Sequence, residues 1–332
     1  MKITILGGGS MGIAMAALLS GNGNDISIWT PFIEEVEQIN KERGIPDRLP
    51  DIRLSQSVMA LNDLEDAVNN TQMAVVTVPS VFMRETAVKL SNVLNKYKYN
   101  IPIVCCSKGL ENDTGCFLSE ILEQEIRDCP VLVLSGPSYA IEIAGGMPTA
   151  VVVASRDKGL AEYCQNVFMN ESFRVYTSCD VKGVELGGAL KNIIALCAGI
   201  SDGLGYGDDS KAALLTRGIA EIARLGVAMG AKSQTFFGLT GIGDIILTCT
   251  GKYSRNKQTG ILLGKGYKLE DALAEVKMVV EGVNAAKPAL LLSEKYSVEM
   301  PIIREANLIL FEGHDPKEAV LRLMKRDKKD EF

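Results

Sequence analysis

The sequence predicts two domains: an α/β domain with a mainly parallel sheet, followed by an all-α domain. Up to about residue 180, short and continuously apolar segments alternate with helical segments, which is typical of parallel strands covered on both faces. From about Val184 onward, the apolar residues recur at helical spacing instead. The 332 residues, 47% of them hydrophobic, suffice to fill two cores. We therefore expect the domains to span residues 1–185 and 186–332.

The N-terminal stretch MKITILGGGSMGIAMAALLS predicts a strand, a glycine-rich turn and a helix. Gly7, Gly9 and Gly12 have the GxGxxG spacing of a dinucleotide-binding loop. The first glycine makes the turn, the second lets the backbone approach a diphosphate, and the third lets the helix pack closely on the strand. Amide groups at the helix start then point toward the diphosphate. The α/β domain is accordingly predicted to be Rossmann-type and to bind NAD(H) or NADP(H).

A second strand is expected at Asp25–Trp29, after the helix stops at Gly21 to Gly23. In such folds an acidic residue near the end of this strand holds the ribose 2′-hydroxyl of NAD, whereas an arginine accommodates the 2′-phosphate of NADP. This chain has Thr30 and Pro31 there. The choice of cofactor therefore stays open at this stage, and we expect both to be used.

The rest of the first domain follows from apolar runs flanked by turn residues. Helices are expected at 33–43 and 158–169, and strands at 57–61, 73–78, 103–106, 131–134, 149–154 and 173–176. Three of these strands end in short polar loops, at Pro79-Ser80, Ser107-Lys108-Gly109 and Ser135-Gly136-Pro137-Ser138. Because ligands bind at the carboxyl ends of parallel strands, we expect these loops to share one binding edge. Ordinary turn chemistry explains the small residues but not Lys108.

Composition excludes several classes of function. The net charge of −6 and the pI near 5.2 argue against a general nucleic-acid or anionic-membrane surface. The eight cysteines contain no CxxC pair, so we expect buried, reduced thiols in a cytoplasmic protein and no metal site. Glu142, Lys191 and Asp202 interrupt the uncharged runs, so no membrane span is expected. His314, the single histidine, lies in a turn and is interpreted as a surface residue.

In the second domain, helices are expected at 186–204, 211–229, 284–296, 302–311 and 316–325. The first of them carries Lys191 in an otherwise uncharged run. Burying an ammonium is costly, and an apolar setting suits a general acid or base. The alternative is that the side chain reaches the surface along its aliphatic stem. The glycine-rich break that follows contains Asp202, Asp208 and Asp209, which either orient a lysine or cap the next helix.

Two further segments are expected to be loops that flank an apolar stretch, Gly241–Asp244 and Tyr253–Lys257. Arg255 and Asn256 at a helix start would make an anion grip, because a guanidinium holds phosphate with two parallel hydrogen bonds. Read conservatively, Arg255 is a surface residue. Tyr253 and Lys257 also have YxxxK spacing, but that proton-relay motif belongs inside a Rossmann domain and these residues lie far beyond it.

A series of short motifs in order gives the chain a specific resemblance. GGGSMG, VPS, SKGLE, LSGPSYA, PTA, GVELGGALKN, AGISDGLGYG, GIGD, LTCT, SRN and VVEG span nearly the whole sequence. It resembles the bacterial NAD(P)-dependent glycerol-3-phosphate dehydrogenases. The resemblance implies reversible reduction of dihydroxyacetone phosphate to sn-glycerol 3-phosphate for phospholipid synthesis. A phosphorylated small molecule is then the expected partner, and the sequence leaves a homodimer open.

The same resemblance implies roles for particular residues. It makes Lys191 the proton acceptor, with Asp244 beside it. Around the substrate it places Lys108, Gly136, Ser138, Lys191, Asp244, Ser254, Arg255 and Asn256. Around the cofactor, together with the three loop glycines, it places Ser10, Met11, Lys108, Ala140, Arg255, Val279 and Glu281.

Two positions depart from the family pattern. Members often carry a basic residue after the second-strand tryptophan, where this chain has Thr30-Pro31, and many have an asparagine in the loop where it has Asp209. Two other functions remain open from the sequence. One is a related 3-hydroxyacid dehydrogenase or ketopantoate reductase, which would have no need of SRN. The other is a non-catalytic NAD(H)-binding sensor, against which the joint presence of Lys108, Lys191, Asp244 and Arg255 argues.

Overall fold

The computed structural model describes residues 1–328, 330 and 331. The chain packs as two compact units. The first comprises Met1–Lys108 and Cys116–Glu185, and the second comprises Gly109–Gly115 and the chain from Leu186 onward. The predicted domain ranges, 1–185 and 186–332, differ from this grouping at the Gly109–Gly115 segment, and we retain them as a proposal.

Within the described residues, the first unit is built on an eight-stranded sheet of order β3-β2-β1-β4-β5-β6-β7-β8. In this order, the first six strands, from β3 to β6, pair in parallel with their neighbours. Strand β7 runs antiparallel to β6, and β8 runs parallel to β7. The strands are β1 Lys2–Leu6, β2 Asp25–Trp29, β3 Val58–Leu61, β4 Met73–Val76, β5 Ile103–Cys105, β6 Val131–Ser135, β7 Thr149–Ala154 and β8 Phe173–Ser178.

Helices cover both faces of this sheet, as continuous apolar strands require. Ile3 and Ile5 of β1 belong to one core cluster and Leu6 to the cluster on the opposite face. These helices are α1 Ser10–Gly21, α2 Ile33–Glu42, α3 Leu64–Val68, α4 Met83–Tyr97, α5 Leu118–Glu125, α6 Ala140–Ala144 and α7 Lys158–Phe168, with a 3₁₀ turn at Ser80–Phe82.

From Leu186 onward, the regular elements that the structure describes in the second unit are all helical, which confirms the predicted fold class of a Rossmann-type α/β domain with an all-α domain. A π turn at Leu239–Gly243 interrupts the helices. The helices are α8 Val181–Gly203, α9 Asp208–Ala228, α10 Ser233–Phe236, α11 Asp244–Thr250, α12 Arg255–Gly264, α13 Leu269–Val276, α14 Glu281–Lys295, α15 Pro301–Glu312 and α16 Pro316–Met324.

Helix α8 starts earlier than predicted because Asp180 caps it, its carboxylate accepting the amide of Gly183 at 3.1 Å. Among the described helices, α8 alone is long and apolar enough to cross a membrane, but 94% of its most apolar window is buried. It is therefore a core helix. Glycines let α8 and α12 approach closely: a Cβ on Gly199 would lie 2.1 Å from the carbonyl oxygen of Lys257, and one on Gly260 would lie 2.0 Å from that of Leu196.

The predicted loop around Gly241 is wrong in part, whereas the predicted helix start at Arg255 and Asn256 is confirmed. Gly241–Gly243 lies in the π turn, Asp244 begins α11, and Arg255 begins α12. Packing explains the first of these, because α8 reaches this segment so closely that a Cβ on Gly187 would lie 2.4 Å from the Thr240 carbonyl oxygen. Because Gly187 has no side chain, the backbone of α8 can contact the backbone of the π turn.

Candidate active site

The glycine loop of the first unit has the geometry that its motif predicts. Gly7 has φ +119°, which favours glycine, and an added Cβ would lie 2.8 Å from Thr77 Oγ1. A Cβ on Gly12 would lie 1.9 Å from the carbonyl oxygen of Gly7, so strand and helix could not pack as they do. A Cβ on Gly9, by contrast, would meet no atom within 4 Å. The loop is therefore tight on its protein side and open at Gly9, which fits a bound diphosphate.

Ser10 and Met11 form the first turn of α1, and both are half-buried. Their position at the helix start, after Gly9 as the N-terminal flanking residue, puts them where helix amides and the helix dipole favour negative charge.

Lys108 lies just after β5 and makes specific contacts with the loop after β6. Its Nζ donates to the carbonyl oxygen of Gly136 at 2.8 Å and to Ser138 Oγ at 3.4 Å. Gly136 has φ +143°, and a Cβ there would lie 3.0 Å from the Cα of Val151. The structure thus brings three predicted substrate residues together, and Ala140 follows at the start of α6.

Lys191 does not reach the surface, since only 6% of the residue is exposed. Its Nζ donates to Asp244 Oδ1 at 2.6 Å and to Thr248 Oγ1 at 2.7 Å. Thr248 in turn donates to the carbonyl oxygen of Asp244 at 2.7 Å. Asp244 is 0% exposed and Thr248 is 4% exposed. A buried ammonium is thus held by a carboxylate and a hydroxyl one helical turn apart, as a positioned proton donor requires.

The sequence did not single out Thr248. Its hydroxyl is separated from Lys191 by the whole stretch between α8 and α11, so the contact exists only in the folded chain. The available signal was its spacing: residues four apart on a helix share one face, so Asp244 and Thr248 were bound to point the same way.

Cys249 lies beside the charged pair and is chemically quiet. Burial raises the pKa of its thiol to about 12, against the opposing influence of Lys191 and Lys257. A thiol with that pKa stays protonated near neutral pH and is a poor nucleophile. Cys249 is therefore not suited to act as a nucleophile beside Lys191.

The SRN segment is partly structural. Ser254 precedes α12 and its Oγ accepts the amide of Lys257 at 3.2 Å. The Asn256 side chain donates to Asn192 Oδ1 at 3.0 Å and accepts the amide of Gly282 at 2.8 Å. Asn256 thus fastens α8, α12 and α14 together, next to the lysine in α8.

Arg255 contacts the segment that contains Val279 and Glu281, two of the residues expected to bind the cofactor. Its Nη1 donates to the carbonyl oxygen of Val279 at 2.9 Å, and this contact is exposed. Glu281 begins α14 and accepts from Asn284 Nδ2 at 3.4 Å. Arg255, Val279 and Glu281 therefore lie in one region of the second unit.

Asp202 joins two lysines near the same helices. Its Oδ1 lies 2.8 Å from Lys211 Nζ, and its Oδ2 lies 3.4 Å from Lys257 Nζ. The sequence predicts that the acidic residues near the end of α8 and the start of α9 either orient a lysine or cap the next helix. Asp202 takes the first role, and Asp208 and Asp209 lie in the first turn of α9. The paired Lys257 is not arranged with Tyr253 as a proton relay inside a Rossmann domain.

The cysteines and the histidine have no part in this arrangement. All eight cysteines lie in the described chain as free thiols, most of them buried, although Cys179 is exposed and so departs from the prediction. His314 lies 3.8 Å from Glu312 at the surface. Among the residues that the structure describes, no group of three or more His, Cys, Asp or Glu side chains is placed to hold a metal ion.

A Rossmann-type unit with an open glycine loop, and a helical unit with a buried lysine held by aspartate and threonine, define a nicotinamide-dependent dehydrogenase. Models of the two halves of one such family match the chain: the NAD-dependent glycerol-3-phosphate dehydrogenase N-terminus over residues 2–161 and its C-terminus over residues 180–321. The chain belongs to the NAD-dependent glycerol-3-phosphate dehydrogenase family.

Individual relatives are similar over their whole length. A glycerol-3-phosphate dehydrogenase [NAD(P)+] of Agathobacter rectalis is 49% identical over 99% of this chain and 97% of its own, and that of Fusobacterium nucleatum is 50% identical over 100% and 99%. The crystal structure of the glycerol-3-phosphate dehydrogenase of Coxiella burnetii superposes with a TM-score of 0.93 at 34% identity, covering 98% of this chain and 99% of that one.

Proposed function

We propose that this chain is an NAD(P)-dependent glycerol-3-phosphate dehydrogenase. It reduces dihydroxyacetone phosphate reversibly to sn-glycerol 3-phosphate, which feeds glycerophospholipid synthesis. The observation that carries this proposal is the buried Lys191 held at 2.6 Å by Asp244 in a chain with an open glycine loop. The absence of a CxxC pair and the free thiols favour a reducing compartment, so we place the enzyme in the cytoplasm.

The proton chemistry is assigned to Lys191. In the direction of reduction it donates a proton to the carbonyl oxygen of the substrate, and in the reverse direction it removes that proton from the hydroxyl. Asp244 and Thr248 hold its Nζ in place, so little reorganisation is needed during the reaction. The nicotinamide cofactor, NAD or NADP, supplies or accepts the hydride when bound.

Cationic side chains supply the remaining interactions. Lys108 is oriented by Gly136 and Ser138, and its charge stabilises negative charge developing on the substrate oxygen. Arg255 grips the substrate phosphate, for which a guanidinium is well suited, and Ser254 and Asn256 fix the start of its helix. Ser10, Met11, Ala140, Val279 and Glu281 are assigned to cofactor binding.

The test is direct. The purified chain is mixed with dihydroxyacetone phosphate and NADH or NADPH while the absorbance of the reduced nicotinamide is followed. We expect oxidation of cofactor that depends on this substrate, and little with ketopantoate or dihydroxyacetone, which lacks the phosphate. Silence with both cofactors would overturn the proposal and favour a non-catalytic sensor. Turnover of ketopantoate in preference would favour the related reductase.

A further inference from the structure

Two side chains meet just beyond the end of β2, where the sequence leaves the choice of cofactor open. Thr30 follows β2 and is 1% exposed, and its Oγ1 donates to Glu35 Oε2 at 2.7 Å. Glu35 comes from the first turn of α2, not from the strand end itself. The acidic residue missing beyond Trp29 is therefore supplied from the helix that follows.

This carboxylate lies against the glycine loop. A Cβ on Gly8 would lie 3.0 Å from Glu35 Oε2 and 3.2 Å from the Cβ of Thr30. In Rossmann-type folds the group at the ribose 2′ position is read near the end of the second strand, beside this loop. Glu35 thus occupies the place from which a carboxylate accepts a hydrogen bond from a 2′-hydroxyl and repels a 2′-phosphate.

Arg48 is the cation that the structure places against this carboxylate. Its Nη1 lies 3.7 Å from Glu35 Oε1, with the arginine side chain 45% exposed and the glutamate side chain 24% exposed. Because the Arg48 guanidinium is already attracted to Glu35, it would attract a 2′-phosphate less strongly than an unpaired guanidinium would. The pair therefore works against NADP(H) in two ways, by repulsion and by competition for the arginine.

We propose that Glu35, held by Thr30, makes this chain prefer NAD(H) over NADP(H). The inference rests on the proposed function, in that it assumes a nicotinamide dinucleotide at the glycine loop. The sequence leads us to expect that both cofactors are used; the inference adds that NADPH binds more weakly than NADH.

The test measures binding and needs no turnover. NADH and NADPH are titrated calorimetrically into the parent, into Glu35→Gln and into Glu34→Gln. Glutamine still accepts the Thr30 hydroxyl, so the fold is kept while the charge is removed. Glu34→Gln is the matched control, because it removes the same charge from the same helical turn at an exposed position.

We expect the parent to bind NADH at least about tenfold more tightly than NADPH, since like-charge juxtaposition is strongly unfavourable. Glu35→Gln should shift that ratio toward NADPH by about tenfold or more, and Glu34→Gln by less than about twofold. In the double variant Glu35→Gln/Arg48→Ala, the part of the gain in NADPH affinity that comes from the freed arginine should be lost, while the part that comes from removing the repulsion should remain. Arg48→Ala alone should leave NADH binding unchanged.

A parent that prefers NADPH, or a ratio that Glu35→Gln moves no more than Glu34→Gln does, would overturn the inference while leaving the dehydrogenase assignment intact. Failure of the parent to bind either cofactor would refute the cofactor-binding role of the glycine loop, and both proposals would fall.

Discussion

The Lys191–Asp244 pair makes a quantitative prediction about stability. Both residues are buried and their charged atoms are 2.6 Å apart. Lys191→Met leaves a buried carboxylate without the lysine charge, and Asp244→Asn leaves a buried ammonium without the aspartate charge. Each single variant should lower the free energy of unfolding by about 3 kcal/mol or more, the usual consequence of breaking a buried ion pair from one side.

The double variant, Lys191→Met/Asp244→Asn, should be more stable than either single one. It removes both charges, and a buried pair replaced by uncharged groups of similar volume often costs little. We expect a loss of at most about 2 kcal/mol relative to the parent, and hence a coupling energy of at least about 4 kcal/mol.

The assay is equilibrium unfolding in urea at pH 7 without cofactor, followed by far-ultraviolet circular dichroism. Asp51→Asn, the same chemical change at an exposed position, is the control and should change the free energy of unfolding by less than about 0.5 kcal/mol. If the two single effects add to within about 0.5 kcal/mol in the double variant, the pair is not coupled and the buried geometry is refuted.

Three further results are expected. Gly9→Ala should weaken NADH binding in calorimetry, because the new Cβ stands where the diphosphate would approach, and it should not lower stability, because that Cβ meets no protein atom. Gly21→Ala, where an added Cβ also meets no atom, is the control and should leave NADH binding unchanged. Equal NADH binding by both variants would refute the loop assignment. Arg255→Ala should raise the KM for dihydroxyacetone phosphate strongly and also lower kcat, and an unchanged KM would exclude a phosphate contact. Burial raises the pKa of Glu221 to about 7, so folding favours its protonated form and the free energy of unfolding falls as pH rises from about 4.5 to about 7. Glu221→Gln should reduce this fall, measured by urea unfolding, by up to about 3 kcal/mol. Parallel pH profiles for the parent and the variant would contradict the prediction.

The sequence was most informative where one residue type does a local job. The glycines of the N-terminal loop could be assigned because each role excludes a side chain, and Lys191 stood out because a charge in an apolar run needs a reason. The fold class followed from the change of periodicity near Val184. These signals are all contained within short windows of sequence.

Contacts between distant segments could not be predicted in the same way. Thr248 meets Lys191 only through the packing of α11 on α8. Glu35 lies in α2, beyond the strand end where the sequence pattern of these folds places the acidic residue. The loop expected at Gly241 is helical in part because α8 packs against it. In each case, tertiary structure decided what local propensity left open.

The central claim is that Lys191 transfers the proton, and the turnover of Lys191→Met tests it most directly. Methionine keeps the length of the side chain and removes the proton, so kcat should fall by roughly two to four powers of ten while NADH binding changes little. Lys191→Arg, which keeps the charge on a group that does not give up its proton, should be similarly impaired. Steady-state kinetics are compared at a temperature where each variant is folded. A Lys191→Met enzyme that retains more than about a tenth of the parental kcat would contradict proton transfer by this lysine.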